Sequence, residues 1–408
     1  DEENPFSVGF QTPPPDSTGV APILEHCVLS GSQRYPLKEV FTELGKRTLH
    51  TFLNAMTWPD RTVYPVCSAH RADFFNLARV YADLIFHPLL RETTFQQEGH
   101  HLKFEEDGRL SIGGVVYNEM KGVYSAPEAV AGRGLRRHLL PDTPYGFDSG
   151  GDPDEIPNLT YDAFQAFHRQ FYSPSNAAFL LYGDIELEAH LAFLEPILAP
   201  FERLEVDRDR PLQAPWSAPR DRRLTYPIGA DESTEDKTFV SLAWLVGETS
   251  DRFETLVGAI ACYALSGSSA APLRKALVDS GLGEDLFPSG LLDDDYRQAV
   301  VAVGLRGTNA DRADEIQQLI LDTLRQVVAD GIDPDLLDGT LHQIEFSGKE
   351  IQPPFPLMLL MRVIPAWFFG GDPKDGLSFA EQIEEVRAAY DADDRLFERW
   401  IERRLIEN

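Results

Sequence analysis

Apolar positions along this chain recur at two spacings, and each spacing marks a different kind of element. In GVAPILEHCVLSGS (19–32), Ile23, Leu24, Cys27 and Val28 predict a buried helix. Helical periodicity also runs over 69–86, 161–171, 313–330 and 379–405. Strand-like runs are PFSVGFQT near the start, LTYPI (224–228), FVSLAWLV (239–246) and QAVVAVGL (298–305). One stretch occurs twice: LSGSQRYPLK at 29–38 returns as LSGSSAAPLR at 265–274, 236 positions later, each copy after an apolar helical run and before a further helix. Between the copies, 200–222 is rich in proline and charge and has no sustained period, the mark of a linker. The expected architecture is therefore α+β and duplicated: two homologous sandwich domains of antiparallel-rich sheet packed with helices, over 1–205 and 223–408, with 206–222 joining them.

Composition narrows the possible functions. No apolar run in the 408 residues approaches the ~20 that span a membrane, so no membrane association is expected. With 66 acidic and 37 basic residues the formal net charge is -29, which opposes nucleic-acid binding and favours cationic partners. Cys27, Cys67 and Cys262 have no CxxC spacing, which argues against a disulfide framework or a cysteine zinc knuckle and suits a reducing compartment. The opening Asp-Glu-Glu-Asn has no basic-plus-apolar leader. The expected location is the cytoplasm if the source is bacterial, or an organelle matrix if it is eukaryotic and a leader has been removed.

Within the first apolar helix, Glu25 and His26 stand side by side where unpaired charge is costly. A metal would explain them. In H-x-x-E-H the two histidines lie four apart on one helix face and grip one zinc ion, while the glutamate reaches the bound water. Here the five positions read Pro22, Ile23, Leu24, Glu25 and His26, so the first histidine is absent. The surrounding sequence, TGVAPILEHCVLSGSQRYPLKEVFTEL (18–44), resembles the zinc-helix region of pitrilysin/insulinase-type peptidases of the presequence-protease branch. The resemblance continues, in order, through LHTFLNAMTWPDRTVYPV (49–66), FQQEGHH (95–101), GGVVYNEMKGVYS (113–125), LLPDTPYGFDSGGDPDEIPNLT (139–160) and FHRQFYSPSNA (167–177), and more weakly to 408.

That resemblance implies an N-terminal half of such a zinc endopeptidase, acting on short unstructured peptides such as cleaved targeting sequences. It implies one zinc ion held by the motif histidines and by the glutamate of N-E-M-K-G, here His26 and Glu119, with Glu25 as general base. It also implies an edge strand at 51–57 on which substrate is laid, with Asn54 and Ala55 as contacts; main-chain pairing there would suit varied sequences. Its partners would be unstructured, basic peptides and a C-terminal half or partner subunit. Pro22 has no ligand atom, so zinc binding and hydrolysis should be impaired, although proline is tolerated in a first helical turn. The rival reading is a catalytically silent half that binds peptides or scaffolds an active partner. Shifting the motif by 236 sets Gly258, Ala261 and Cys262 against Pro22, Glu25 and His26, so the second domain should bind no metal. His50 shares a strand face with Phe52 and Asn54 and is a remote candidate for a replacement ligand. The His342–Glu345 HxxE pair lacks the closing histidine.

Overall fold

The computed structural model describes residues 2–207, 210–351 and 355–408. These form two compact units: the described residues of 1–126, 140–211 and 352–364, and those of 127–139, 212–351 and 365–408. The expected linker, which includes two positions outside the described residues, falls in a longer stretch, 202–237, whose described residues form no helix or strand. LTYPI is part of that stretch and is not a strand: Pro227 lacks the amide a ladder needs, and Leu224 stays exposed. Among the described residues no helix is long and apolar enough to cross a membrane. The three cysteines are buried free thiols.

In the first unit, strand β1 (Asn4–Gln11) leads to helix α1 (Val20–Val28) and helix α2 (Val40–Arg47). Strands β2 (His50–Leu53), β3 (Met56–Thr57) and β4 (Arg61–Ser68) follow, then helices α3 (Arg71–Phe86) and α4 (Glu92–Glu98). A hairpin of β5 (His101–Phe104) and β6 (Leu110–Gly113) precedes α5 (Val115–Tyr124). After α6 (Pro127–Leu139), which groups with the second unit, come α7 (Tyr161–Phe171), β7 (Ala177–Leu181) and α8 (Leu187–Leu198).

The sheet order is β2–β4–β1–β7, with β3 also on β4, so β2 and β3 share its outer edge; every pairing is antiparallel. β1 and β4 are buried along their whole length, as expected of central strands covered on both faces. Among the helices that complete the core, α7 carries a half-buried histidine. The His168 ring stacks on Tyr172 with centroids 5.0 Å apart, and burial lowers its pKa from 6.5 to about 4. A group depressed in this way stabilises the fold fully above 6.5 and loses that contribution as pH falls towards 4, on the order of 3 kcal/mol. Thermal unfolding between pH 7 and 4 should therefore fall less steeply in His168→Phe, which keeps the stack.

The second unit has a three-stranded antiparallel sheet, ordered β8 (Thr238–Glu248), β10 (Gln298–Thr308), β9 (Asp285–Asp293). Around it pack α9 (Arg252–Ser266), α10 (Pro272–Asp279), α11 (Ala313–Asp330) and α12 (Pro334–Lys349). After α13 (Phe355–Phe368), which groups with the first unit up to Ile364, the helix expected over 379–405 is broken into α14 (Phe379–Ala392) and α15 (Leu396–Ile401) by the extended backbone of Asp393. The repeated LSGS ends both apolar helices in the same way: Ser30 Oγ donates to His26 O at 3.0 Å, and Ser266 Oγ to Cys262 O at 3.1 Å.

Candidate functional site

α1 buries Val20, Ala21, Ile23, Leu24, Cys27 and Val28, which leaves Pro22, Glu25 and His26 on its half-exposed side. Its first turn is held from outside. Gly19, at φ +69°, precedes the helix, and a Cβ there would lie 2.9 Å from Gly150 O. Asp148 N donates to Ser17 Oγ at 3.0 Å and Asp152 N to Ser17 O at 2.8 Å, so the FDSGGD loop clamps the helix start. Pro22 is the third helical residue, whose amide has no intrahelical acceptor, and Ile23 N still reaches Gly19 O at 3.2 Å. Proline at this position therefore leaves the helix unbroken and offers no ligand atom.

Around α1 the structure gathers side chains from three other elements. Thr57 of β3 donates its hydroxyl to Glu25 Oε2 at 2.5 Å. His26 Nδ1 lies 3.2 Å from Oε2 of Glu98, the buried last residue of α4, and Gln97 Nε2 donates to the other Glu98 oxygen at 3.0 Å. A carboxylate on Nδ1 fixes the ring and leaves Nε2 as its free nitrogen. Glu119 stands on the exposed side of α5, close enough for its charge to act on both Glu25 and His26. α5 is brought to α4 by a close backbone approach at the hairpin base: Gly114 has φ +151°, and a Cβ there would lie 2.0 Å from Gly99 O.

Burial raises the Glu25 pKa, assisted by Glu119 and partly opposed by Thr57 and His26. Burial opposes charge on His26, yet the Glu98 hydrogen bond and the three carboxylates outweigh it and the imidazole pKa is raised. Both shifts favour the protonated forms, so their stabilising contribution is complete below the ordinary values of 4.5 and 6.5 and is lost as pH rises through the raised ones. Glu25→Gln should accordingly raise the unfolding temperature at pH 8 more than at pH 5.

The edge expected over 51–57 is split at Asn54 and Ala55, between β2 and β3. Asn54 is exposed, its amide donates to Pro65 O at 3.2 Å, and its carbonyl accepts the Tyr81 hydroxyl at 3.3 Å. The Asn54 side chain takes the Ala55 amide at 2.9 Å and would have to release it to an incoming peptide carbonyl. His50 is not near Glu25: it pairs with Ser68 whereas Thr57 pairs with Thr62, six residues along β4 and about 20 Å away. His342 is exposed beside Asp338, and Glu345 is taken by Lys349 and Arg387. Glu98 and Thr57 are not among the expected site residues, although Thr57 closes the expected edge strand. The signal for Glu98 is its place in FQQEGHH, a carboxylate ending a helix with buried Thr94 and Phe95.

A zinc ion does not fit the donor set as it stands. His26 Nε2 and Glu119 are two donors, Pro22 is none, and among the described residues no group of three or more His, Cys, Asp or Glu side chains could hold a metal.

Residues 6–107 match the family model described as insulinase (peptidase family M16), and 158–344 the peptidase M16 inactive domain. The chain belongs to the M16, pitrilysin-type peptidase family. This M16 chain is 41% identical over 419 residues to presequence protease 1, chloroplastic/mitochondrial, of Arabidopsis thaliana, covering all of this chain and 39% of that protein. It is 39% identical over 415 residues to protein HypA of Clostridium perfringens, again over its whole length and 42% of the relative. The chain thus spans about two fifths of these relatives. Among solved structures, a peptidase M16 inactive domain from Pseudomonas fluorescens superposes with a TM-score of 0.68 at 15% identity, over 99% of this chain and 90% of that one, a likeness of fold. Within the second unit of this M16 chain, Ala261 and Cys262 are fully buried, and a Cβ on Gly258 would lie 2.4 Å from the Trp400 indole. An aromatic ring packs where the first unit presents Pro22.

Proposed function

We propose that this chain is the peptide-binding first half of a presequence-protease-type metallopeptidase whose hydrolytic centre is one ligand short. In this reading 1–205 carries the site, 206–222 is the linker, and 223–408 is a homologous structural domain without ligands. Short, unstructured peptides add to the β2–β3 edge beside Asn54 and Ala55. Main-chain pairing tolerates varied sequence, and the net charge of -29 draws basic peptides. Glu25, held on Thr57, is the group positioned to take a proton, and His26 and Glu119 are the ligands that remain. The observation that carries the reading is Glu25 and His26 on α1 within range of the Glu119 charge, with Pro22, which has no ligand atom, four residues before His26. Pro22 also favours a second reading, in which hydrolysis belongs to a partner with the full histidine pair and this chain supplies binding surface alone.

A fluorescent, basic, unstructured peptide tests the proposal by anisotropy with and without a chelator, followed by mass spectrometry of the recovered peptide. Binding insensitive to chelation and weakened by salt, with the peptide recovered whole, is expected. Absence of binding, or cleavage by the unaltered chain that chelation abolishes, would overturn it.

A further inference from the structure

We infer that Thr57 is a positioning residue for Glu25, and that the buried Asp60 network sets the place of Thr57; this rests on Glu25 being the base of the proposed site. β3 is only two residues long, and alternation along it turns the Met56 and Thr57 side chains to opposite faces. β3 packs against α1, and the Thr57 hydroxyl meets the Glu25 carboxylate at 2.5 Å. A β-branched residue has few χ1 states, so the direction of that hydroxyl follows the backbone.

The backbone at this point is tied to the buried residues of the turn that follows. Thr57 pairs with Thr62, and Trp58 N donates to Arg61 O at 2.8 Å, closing a tight turn. The turn carries Asp60, 0% exposed, which accepts from Tyr145 Oη at 2.7 Å, Arg210 Nη1 at 2.6 Å and Arg61 Nη1 at 3.2 Å. Arg210 Nη2 also reaches Gln11 Oε1 at 2.6 Å. Thr12 N donates to Asp60 O at 2.7 Å, and the Thr12 and Thr62 hydroxyls share a hydrogen bond of 2.8 Å. Segments distant in sequence therefore converge on the turn that ends β3. A few residues back, at Asn54, the same edge is exposed and split. The strand that would receive a peptide is thus joined to the Asp60 network where it touches Glu25, so docking and the aim of the carboxylate share one hydrogen-bonded segment.

The test places Thr57→Val and Thr57→Ser in the full chain carrying Pro22→His, loaded with zinc, and reads cleavage of an unstructured peptide. Thr57→Val should lower kcat by about 10²-fold, the scale of a misplaced catalytic group, with KM and zinc content within twofold of the parent, and Thr57→Ser should restore most of the rate. Unchanged kcat in Thr57→Val, or a loss that serine does not rescue, would refute the role. If Pro22→His cleaves nothing, hydrolysis belongs to a partner as in the second reading, and crystal structures of the Thr57 variants in the unaltered chain decide the positioning. Glu25 should swing off β3 in Thr57→Val and stay in Thr57→Ser; a Glu25 unmoved in Thr57→Val refutes it.

Discussion

Replacing Pro22 with histidine is expected to raise zinc affinity by about two orders of magnitude or more. Residues 22 and 26 are four apart on α1 and share its half-exposed side, so both imidazoles can address one point. Glu98 already engages His26 Nδ1, which leaves Nε2 for metal, and Glu119 supplies the third donor. Four-ligand zinc sites are worth ~10–16 kcal/mol in apparent affinity, so one ligand carries roughly 3 kcal/mol, or about 10²-fold. The substitution costs the helix little, because the Ile23 amide keeps Gly19 O and residue 22 needs no acceptor. Elemental analysis after zinc loading and desalting reads the result: near one zinc per chain in Pro22→His and far less in the unaltered protein. Equal zinc in both would require a ligand other than His50, which is too distant; zinc in neither would remove His26 and Glu119 from the ligand set.

Removing Asp60 should destabilise the first unit by about 3–5 kcal/mol. Asp60→Ala leaves two guanidinium groups, of Arg61 and Arg210, 2% and 4% exposed, without the carboxylate they share. Tyr145 loses its acceptor at the same time. Asp60→Asn keeps an acceptor for Tyr145 but not the charge, so its cost should be smaller. Urea unfolding followed by circular dichroism measures both, and a loss below about 1 kcal/mol in Asp60→Ala would show that the network holds nothing in place.

Local pattern explains which parts of this structure can be read from sequence. α7 and α11 keep the limits that periodicity gives them, and the start of α7 is marked by a Thr160 hydroxyl accepting from Ala163 N at 3.2 Å. The repeat was legible because the same serine bond ends α1 and α9. What stayed hidden depends on distant partners. LTYPI has the composition of a strand and pairs with no strand among the described residues, while the β5–β6 hairpin gives little signal because its Leu102, Phe104 and Leu110 are all exposed. The site divides along the same line. Glu25 and His26 stood out as charge inside an apolar helix, and Glu119 came only by resemblance. Their supports, Glu98, Thr57 and Asp60 with Arg210, lie tens of residues away in sequence, and of these Glu98 alone has a local signal, as a carboxylate closing a helix with buried Thr94 and Phe95.

Under the proposed function, peptide adds to the β2–β3 edge beside Glu25, His26 and Glu119. Amide hydrogen exchange of the unaltered chain, with and without saturating unstructured peptide and with chelator present, tests it most directly. Added protection concentrated at 50–57 is the predicted result; protection elsewhere with none at 50–57 would contradict it.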